Sequence, residues 1–380
     1  MEILEYTEDH KNFRKRLRDF LEREVTPHAD EWEKAGIVPK SVWGKMGRAG
    51  FLCTEVSAEY GGLGGDFLYS VIVIEELSRT SQNGLVTPLH SDIVVPYLTS
   101  YASDALKKKY LPGCVSGDIV TAVAMTEPGA GSDLAGISTA AVEEGDEVVL
   151  NGSKTFISNG IIADLVVVAA RDPEAEDPYQ AISLYVVESD TPGFEKGRHL
   201  KKMGLWSQDT AELFFSKCRI PITNRLGKKG DGFLMLMEKL QQERLVCAVW
   251  AVAGAERILE WTTEYCQNTR GSGKPLSKSQ AVQFGLIEMT TDVKLGRIFV
   301  EKLVRDHMEG QNVVIETSMA KYWTTDMVKR IADRALDFCG SFGTLESCQI
   351  VRAWRDVRVM SIFAGTNEIM KNIAAKFMGL

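Results

Sequence analysis

Seven cysteines in 380 residues are too few and too scattered for a disulfide framework. Cys53, Cys114, Cys218, Cys247, Cys266, Cys339 and Cys348 form no CxxC pair and fall at no metal-ligand spacing with any of the five histidines, so no metal site is expected. Reduced thiols in a cytosol-like compartment fit this usage. Long hydrophobic runs are also missing, and the longest are far too short to span a bilayer. The N-terminal MEILEYTEDHKNFRKRL has no apolar core of a signal peptide. A bacterial cytoplasmic location is expected, with a matured mitochondrial-matrix form as the other reading. An excess of positive charge is absent too: 44 Lys and Arg face 52 Asp and Glu, a net charge of -8. Such a surface attracts neither nucleic acid nor an anionic membrane, and an anionic small ligand would need local basic residues.

What the chain does have is 44% hydrophobic content and the length for a large core in two or three domains. From Glu8 to about Gly117 the spacing is helical, as in Phe13, Leu17, Phe20 and Leu21, punctuated by Pro27, Pro39 and Gly61-Gly62-Leu63-Gly64-Gly65. Short β-branched runs follow, Leu165-Val166-Val167-Val168 and Ile182 to Val187, separated by turn residues such as Asn151-Gly152 and Pro192-Gly193. After Gly232 helical spacing returns and lasts to Leu380. The prediction is an α+β fold: an N-terminal helical domain over 1–118, a middle β domain over 119–228 and a C-terminal helical bundle over 229–380. The strand stretch is too irregular for alternating βαβ units, which disfavours a parallel doubly wound sheet.

Chemistry is suggested first by Met125-Thr126-Glu127-Pro128-Gly129-Ala130-Gly131-Ser132-Asp133, which leaves an apolar run and enters a tight loop. Small residues there let backbone N–H groups approach a ligand closely, although an ordinary turn uses the same residues. It lacks the spacing of a dinucleotide-binding GxGxxG. A second signal lies in Leu236, Leu240, Glu243, Cys247 and Trp250, whose spacing places Glu243 on an otherwise apolar helical stripe. A carboxylate there is desolvated and its pKa raised toward that of a useful base; the structural alternative is a salt-bridged glutamate.

The loop AMTEPGAGSDLAG is followed in order by LNGSKTFISNG, KMGLWSQDTAELFF, LQQERL and IFAGTNEIMK. That ordered set resembles the acyl-CoA dehydrogenase family along essentially the whole chain. The resemblance implies helical, β and four-helix-bundle domains, a homotetramer, FAD as cofactor, an acyl-CoA substrate and an electron-transfer flavoprotein as acceptor. It places Met125 and Thr126 along the flavin ring, Gly131 and Ser132 against cofactor or CoA, Phe156 on the flavin face and Ser158 at the N5 edge. Arg270 and Gln280 match the segment that completes a neighbouring subunit's FAD site, but Gly271-Ser272-Gly273-Lys274 is one residue short and lacks the family's aromatic. Asp337 stands where the family has a Gln near the pyrophosphate. Thr366 and Glu368 match the remaining cofactor contacts.

Desaturation of an acyl thioester removes a proton from Cα and a hydride from Cβ, so a desolvated carboxylate must face the flavin across the substrate. Many family members carry it just before the Gly-Thr of the last motif, where this chain has Ala364. A subset, similar to the isovaleryl-CoA and long-chain dehydrogenases, carries it in a helix before an Arg, here Glu243-Arg244. By resemblance the backbone N–H of Ala364 remains an oxyanion donor, and Arg244 contacts the CoA moiety. Asp92 is read in two ways: as the cap of a helix starting at Ile93, or as a second base like that of certain alicyclic acyl-CoA dehydrogenases, which would direct the enzyme to cyclohexane- or cyclohexene-carboxyl-CoA. An acyl-CoA oxidase and a non-catalytic helical scaffold with a degraded flavin site are the rival readings.

Overall fold

The computed structural model describes residues 3–271 and 273–380. Ser272, part of the shortened glycine segment, lies outside the described residues. Six helices come first: α1 (Glu8–Glu24), α2 (Ala29–Ala35), α3 (Lys40–Arg48), α4 (Phe67–Ser78), α5 (Val95–Tyr101) and α6 (Asp104–Ser116). Thr7 starts α1 with a capping box that includes His10, and Phe13, Leu17, Phe20 and Leu21 are buried as their spacing requires. Helix α4 behaves differently. Its run Phe-Leu-Tyr-Ser-Val-Ile-Val-Ile has no polar stripe because the helix is buried on both sides. Ile72, Val73 and Leu77 join the N-terminal core, while Phe67, Leu68, Val71 and Ile74 join the C-terminal one.

Eight strands follow: β1 (Thr121–Ala124), β2 (Ala140–Glu144), β3 (Glu147–Ser158), β4 (Leu165–Arg171), β5 (Ile182–Glu188), β6 (Phe194–His199), β7 (Thr210–Pro221) and β8 (Arg225–Leu226). The sheet order is β6-β7-β3-β2-β4-β5-β8, with β1 beside β4. Only β1–β4 and a single β2–β4 pair are parallel; the other pairings are antiparallel. Side chains alternate along β4: Leu165, Val167 and Ala169 face the N-terminal helices, and Val166, Val168 and Ala170 fill the β domain's own core.

The C-terminal part has three long helices, α7 (Gly232–Asn268), α8 (Gln280–Met308) and α9 (Val314–Cys339), and two short ones, α10 (Gln349–Val357) and α11 (Asn367–Phe377). A two-stranded hairpin, β9 (Arg270–Gly271) with β10 (Lys274–Pro275), links α7 to α8. Along α7 the packing changes hands: Met235 and Leu236 belong to the N-terminal core, and Leu245 onward to the C-terminal one. Glu243 sits at that hand-over. No helix among the described residues is long and apolar enough to cross a membrane.

The expectation that Asp92 caps a helix at Ile93 is corrected. Residues Leu89–Val94 form a π-helical turn with Asp92 inside it, and α5 begins at Val95. Pro96 explains the change: it offers no N–H to the carbonyl four residues back, which is that of Asp92. That carbonyl accepts instead from the Gln242 side-chain amide on α7, at 2.9 Å.

Candidate active site

Glu243 is 3% exposed. Burial pushes its carboxyl up to about 7, against the opposing pulls of a Tyr97 hydrogen bond and the charges of Arg244 and Lys239. Tyr97, fully buried on α5, donates its hydroxyl to Glu243 Oε1 at 2.8 Å. Sequence reasoning missed Tyr97, which carries no signal beyond an apolar neighbourhood. Arg244 is equally buried, donates to Ser318 Oγ on α9 at 3.3 Å, and leaves its Nε without a partner among the described residues.

Asp92 does not share Glu243's hydrogen bonds. Its Oδ1 accepts from the Ser70 hydroxyl on α4 at 2.6 Å. Burial pushes this carboxyl up to about 8; the Ser70 bond opposes the rise and the Glu55 charge adds to it. Two buried carboxyls, both raised by burial, thus flank the same helix seam.

The β domain presents the two glycine-containing motifs side by side. Thr155 N–H donates to the Thr126 carbonyl at 2.9 Å, and Lys154 Nζ bonds both the Met125 carbonyl, at 3.1 Å, and Glu127 Oε1, at 2.7 Å. Glu127 also accepts from the Ser138 N–H and hydroxyl and from the Thr139 N–H. This buried ion pair, absent from the sequence reading, staples Met125 and Thr126 to the strand that carries Phe156 and Ser158. Gly129 and Gly131 face open space, and Gly131 and Ser132 are exposed. A register shift between Lys154 and Ile157 on β3 throws Phe156 out at φ +57°, leaving it 67% exposed. The left-handed backbone of a bulky residue is strained, and its exposed ring forgoes burial, so the position is costly on both counts.

The loop of the last motif precedes α11. Ala364 (φ +51°) and Gly365 (φ +89°) are consecutive left-handed residues, and the Ala364 N–H meets no intramolecular acceptor among the described residues. Thr366 caps α11 by accepting from the Ile369 N–H at 3.3 Å, with Glu368 exposed in the first turn. The third motif ties the domains together: Leu205 N–H donates to buried Asp356 on α10 at 2.7 Å, and Trp206 stacks under Arg355.

Arg270 and Gln280 are not brought to this site. Glu243 and the end of α7 at Asn268 are separated by 25 residues, roughly 38 Å at 1.5 Å per residue. Both side chains are exposed there, as is Asp337 at the end of α9. Among the described residues no His, Cys, Asp and Glu cluster could hold a metal ion.

Family models described as acyl-CoA dehydrogenase N-terminal, middle and C-terminal domains match residues 7–118, 122–218 and 230–379. The chain belongs to the acyl-CoA dehydrogenase family. It is 42% identical to the mitochondrial long-chain specific acyl-CoA dehydrogenase of Sus scrofa, over 98% of this chain and 86% of that protein. It is 34% identical to the cyclohex-1-ene-1-carbonyl-CoA dehydrogenase of Geobacter metallireducens, over 97% and 98%. The crystal structure of an acyl-CoA dehydrogenase from Geobacillus kaustophilus superposes with a TM-score of 0.97 at 52% identity, covering 99% of each chain. The fold is therefore the three-part acyl-CoA dehydrogenase fold, and the protein is an oxidoreductase.

Proposed function

We propose that this acyl-CoA dehydrogenase binds FAD and desaturates an acyl-CoA between Cα and Cβ, with Glu243 as the base. The observation that carries the reading is a buried carboxylate, at about 7, on the helix between the two helical cores, in a chain whose other base position is Ala364. The outward Phe156, the open Gly129–Gly131 loop and the unpartnered Ala364 N–H fit a flat ligand laid against the β domain. When bound, the flavin supplies the hydride acceptor. Met125, Thr126, Gly131, Ser132, Phe156 and Ser158 would line its ring side, with Thr366 and Glu368 from the last motif.

In this reading Glu243 takes the Cα proton and the Ala364 N–H holds the thioester oxygen as it gains charge, the use to which a fixed, unsatisfied donor is best put. The hydrophobic seam around Glu243 excludes water and keeps the carboxylate basic. Arg244, a buried cation with no carboxylate bonded to it among the described residues, would hold CoA-side charge together with Ser132. Arg270 and Gln280, beyond the end of α7 that lies roughly 38 Å from Glu243, would serve the FAD of a neighbouring subunit in a homotetramer. Electrons would pass on to an electron-transfer flavoprotein. Turnover of acyl-CoAs of graded length with an artificial acceptor tests the activity, and likeness to the long-chain enzyme favours linear substrates. A protein that retains no flavin, or leaves every acyl-CoA unchanged, overturns it.

Tyr97 gives a separate test. Its hydrogen bond stabilises ionised Glu243, so Tyr97→Phe raises the carboxyl pKa and moves the rising limb of the kcat/KM profile to higher pH. A bond to a charged group contributes about 1.5–3 kcal/mol, or about one to two pH units. An unmoved limb would show that Tyr97 does not tune the base.

The second reading rests on buried Asp92. If it removes a distal ring proton, Asp92→Asn abolishes turnover of cyclohexenyl-carboxyl-CoA and spares linear substrates. Equal activity of wild type and variant on both classes removes Asp92 from the chemistry. Its bond to Ser70, and the stronger upward push of burial on its carboxyl, favour Glu243 as the working base.

A further inference from the structure

We infer that Lys321 is a positioning residue: from α9 its ammonium clamps the Gly365 carbonyl and holds the Ala364–Gly365 turn with the Ala364 N–H free for the thioester oxygen. The inference rests on the proposed desaturation and deepens it. Lys321 is fully buried, and its Nζ bonds the Gly365 carbonyl at 2.5 Å and Asn367 Oδ1 at 3.2 Å. The same Asn367 oxygen accepts from the Thr325 hydroxyl at 3.1 Å, and its amide nitrogen donates to the Tyr322 carbonyl and to Asp326. The start of α11 is therefore tied to α9 through one asparagine and one lysine.

Stability alone does not explain this choice. No carboxylate lies within ion-pair distance of Lys321 among the described residues, and a buried cation without such a partner is costly. Its neighbours sharpen the point. Burial pulls the ammonium down to about 8, Arg244 on α7 pulls it further, and Cys247, Asp326 and Glu368 act in the opposite direction. A buried cation, with a second one of like sign near enough to act on it, thus holds a turn that carries two consecutive left-handed residues and an unsatisfied N–H. In a resting molecule that arrangement is unfavourable. It becomes favourable when the carbonyl oxygen in front of the turn acquires negative charge. Lys321 falls on the buried stripe Thr317, Ala320, Thr324 and Val328 of α9.

The test uses the full FAD-loaded chain with Lys321→Met, Lys321→Gln and Asn367→Ala. Three readouts separate positioning from packing: kcat against KM, affinity for a 3-oxoacyl-CoA bound as its enolate, and affinity for an acyl-CoA thioether in which CH2 replaces the carbonyl. Lys321→Met is expected to lower kcat and enolate affinity together by about 10- to 100-fold, with KM, thioether affinity and flavin content little changed. Asn367→Ala keeps the lysine and loosens the clamp, so it should move the same two quantities less; it also decides the matter if the lysine variants do not fold. Unchanged kcat, or equal loss of affinity for both ligands, overturns the inference. Wild-type turnover is measured alongside: if it is present and the variants match it, only the role of Lys321 fails, whereas its absence is a failure of the proposed activity.

Discussion

Glu243→Gln should lower kcat for α,β-desaturation by about 10²- to 10⁴-fold, the span that a positioned general base contributes. The substitution keeps the shape of the side chain and its bond with Tyr97, so KM and the fold should hold, and the loss should fall on kcat and kcat/KM alike. The wild-type profile should rise through about pH 7 as the carboxyl ionises, and that limb should vanish in the variant. A second substitution adds a positive control. In Glu243→Gln/Ala364→Glu, a carboxylate returns at the position that hosts the base in many relatives, and part of the rate should return with it. Steady-state kinetics with an artificial electron acceptor measures all of this. Activity within a few-fold of wild type in Glu243→Gln would sink the base assignment.

The largest loss of stability is expected from Lys154→Met. The ion pair with Glu127 is buried on both sides, and removing one partner of such a pair costs about 3–5 kcal/mol because the other charge is left stranded. Burial pulls the Glu127 carboxyl up, but the bonds from Lys154, Thr139 and Ser138 outweigh it and hold the group at about 2, below its ordinary 4.5. A depressed folded-state pKa contributes stability above the unfolded value and loses it as pH falls through the folded one. Wild type should therefore weaken between about pH 4.5 and pH 2, whereas Lys154→Met, whose stranded carboxyl burial holds above 4.5, should gain stability as pH falls toward 4.5 and none below it. Thermal unfolding as a function of pH reads both trends. Lys154→Met/Glu127→Gln, which removes both charges, should recover much of the loss. Because Lys154 also holds the Met125 carbonyl, both variants lose that bond, and the double variant should release flavin more readily than its recovered stability alone would imply. Equal melting of Lys154→Met and wild type near pH 7 would show that the pair is worth little.

These tests draw on residues that differ in how far the sequence disclosed them. Glu243 was legible because a helix repeats every 3.6 residues, so its burial could be read from Leu236, Leu240, Cys247 and Trp250 alone. The change from helical to strand texture and back was legible for the same reason. Asp92 was half legible: its place in an apolar segment was plain, but its capping role was misread, because Pro96 widens the turn and Gln242, 150 residues away, donates to the Asp92 carbonyl. Arg270 and Gln280 matched a motif, yet only the length of α7 put them far from this chain's own Glu243.

By itself, then, the sequence determined the α+β class, the family, and the helix face that buries Glu243, since each depends on local period or on ordered motifs. Tertiary structure decided which groups act on that carboxylate and on the turn beside it. Tyr97 reaches Glu243 across 146 residues, Lys154 reaches Glu127 across 27, and Lys321 reaches Gly365 across 44. A periodic pattern reports which way a side chain points from its own element. It carries no information about which remote donor packing brings within 3 Å, and those donors set the charge, pKa and orientation of the site.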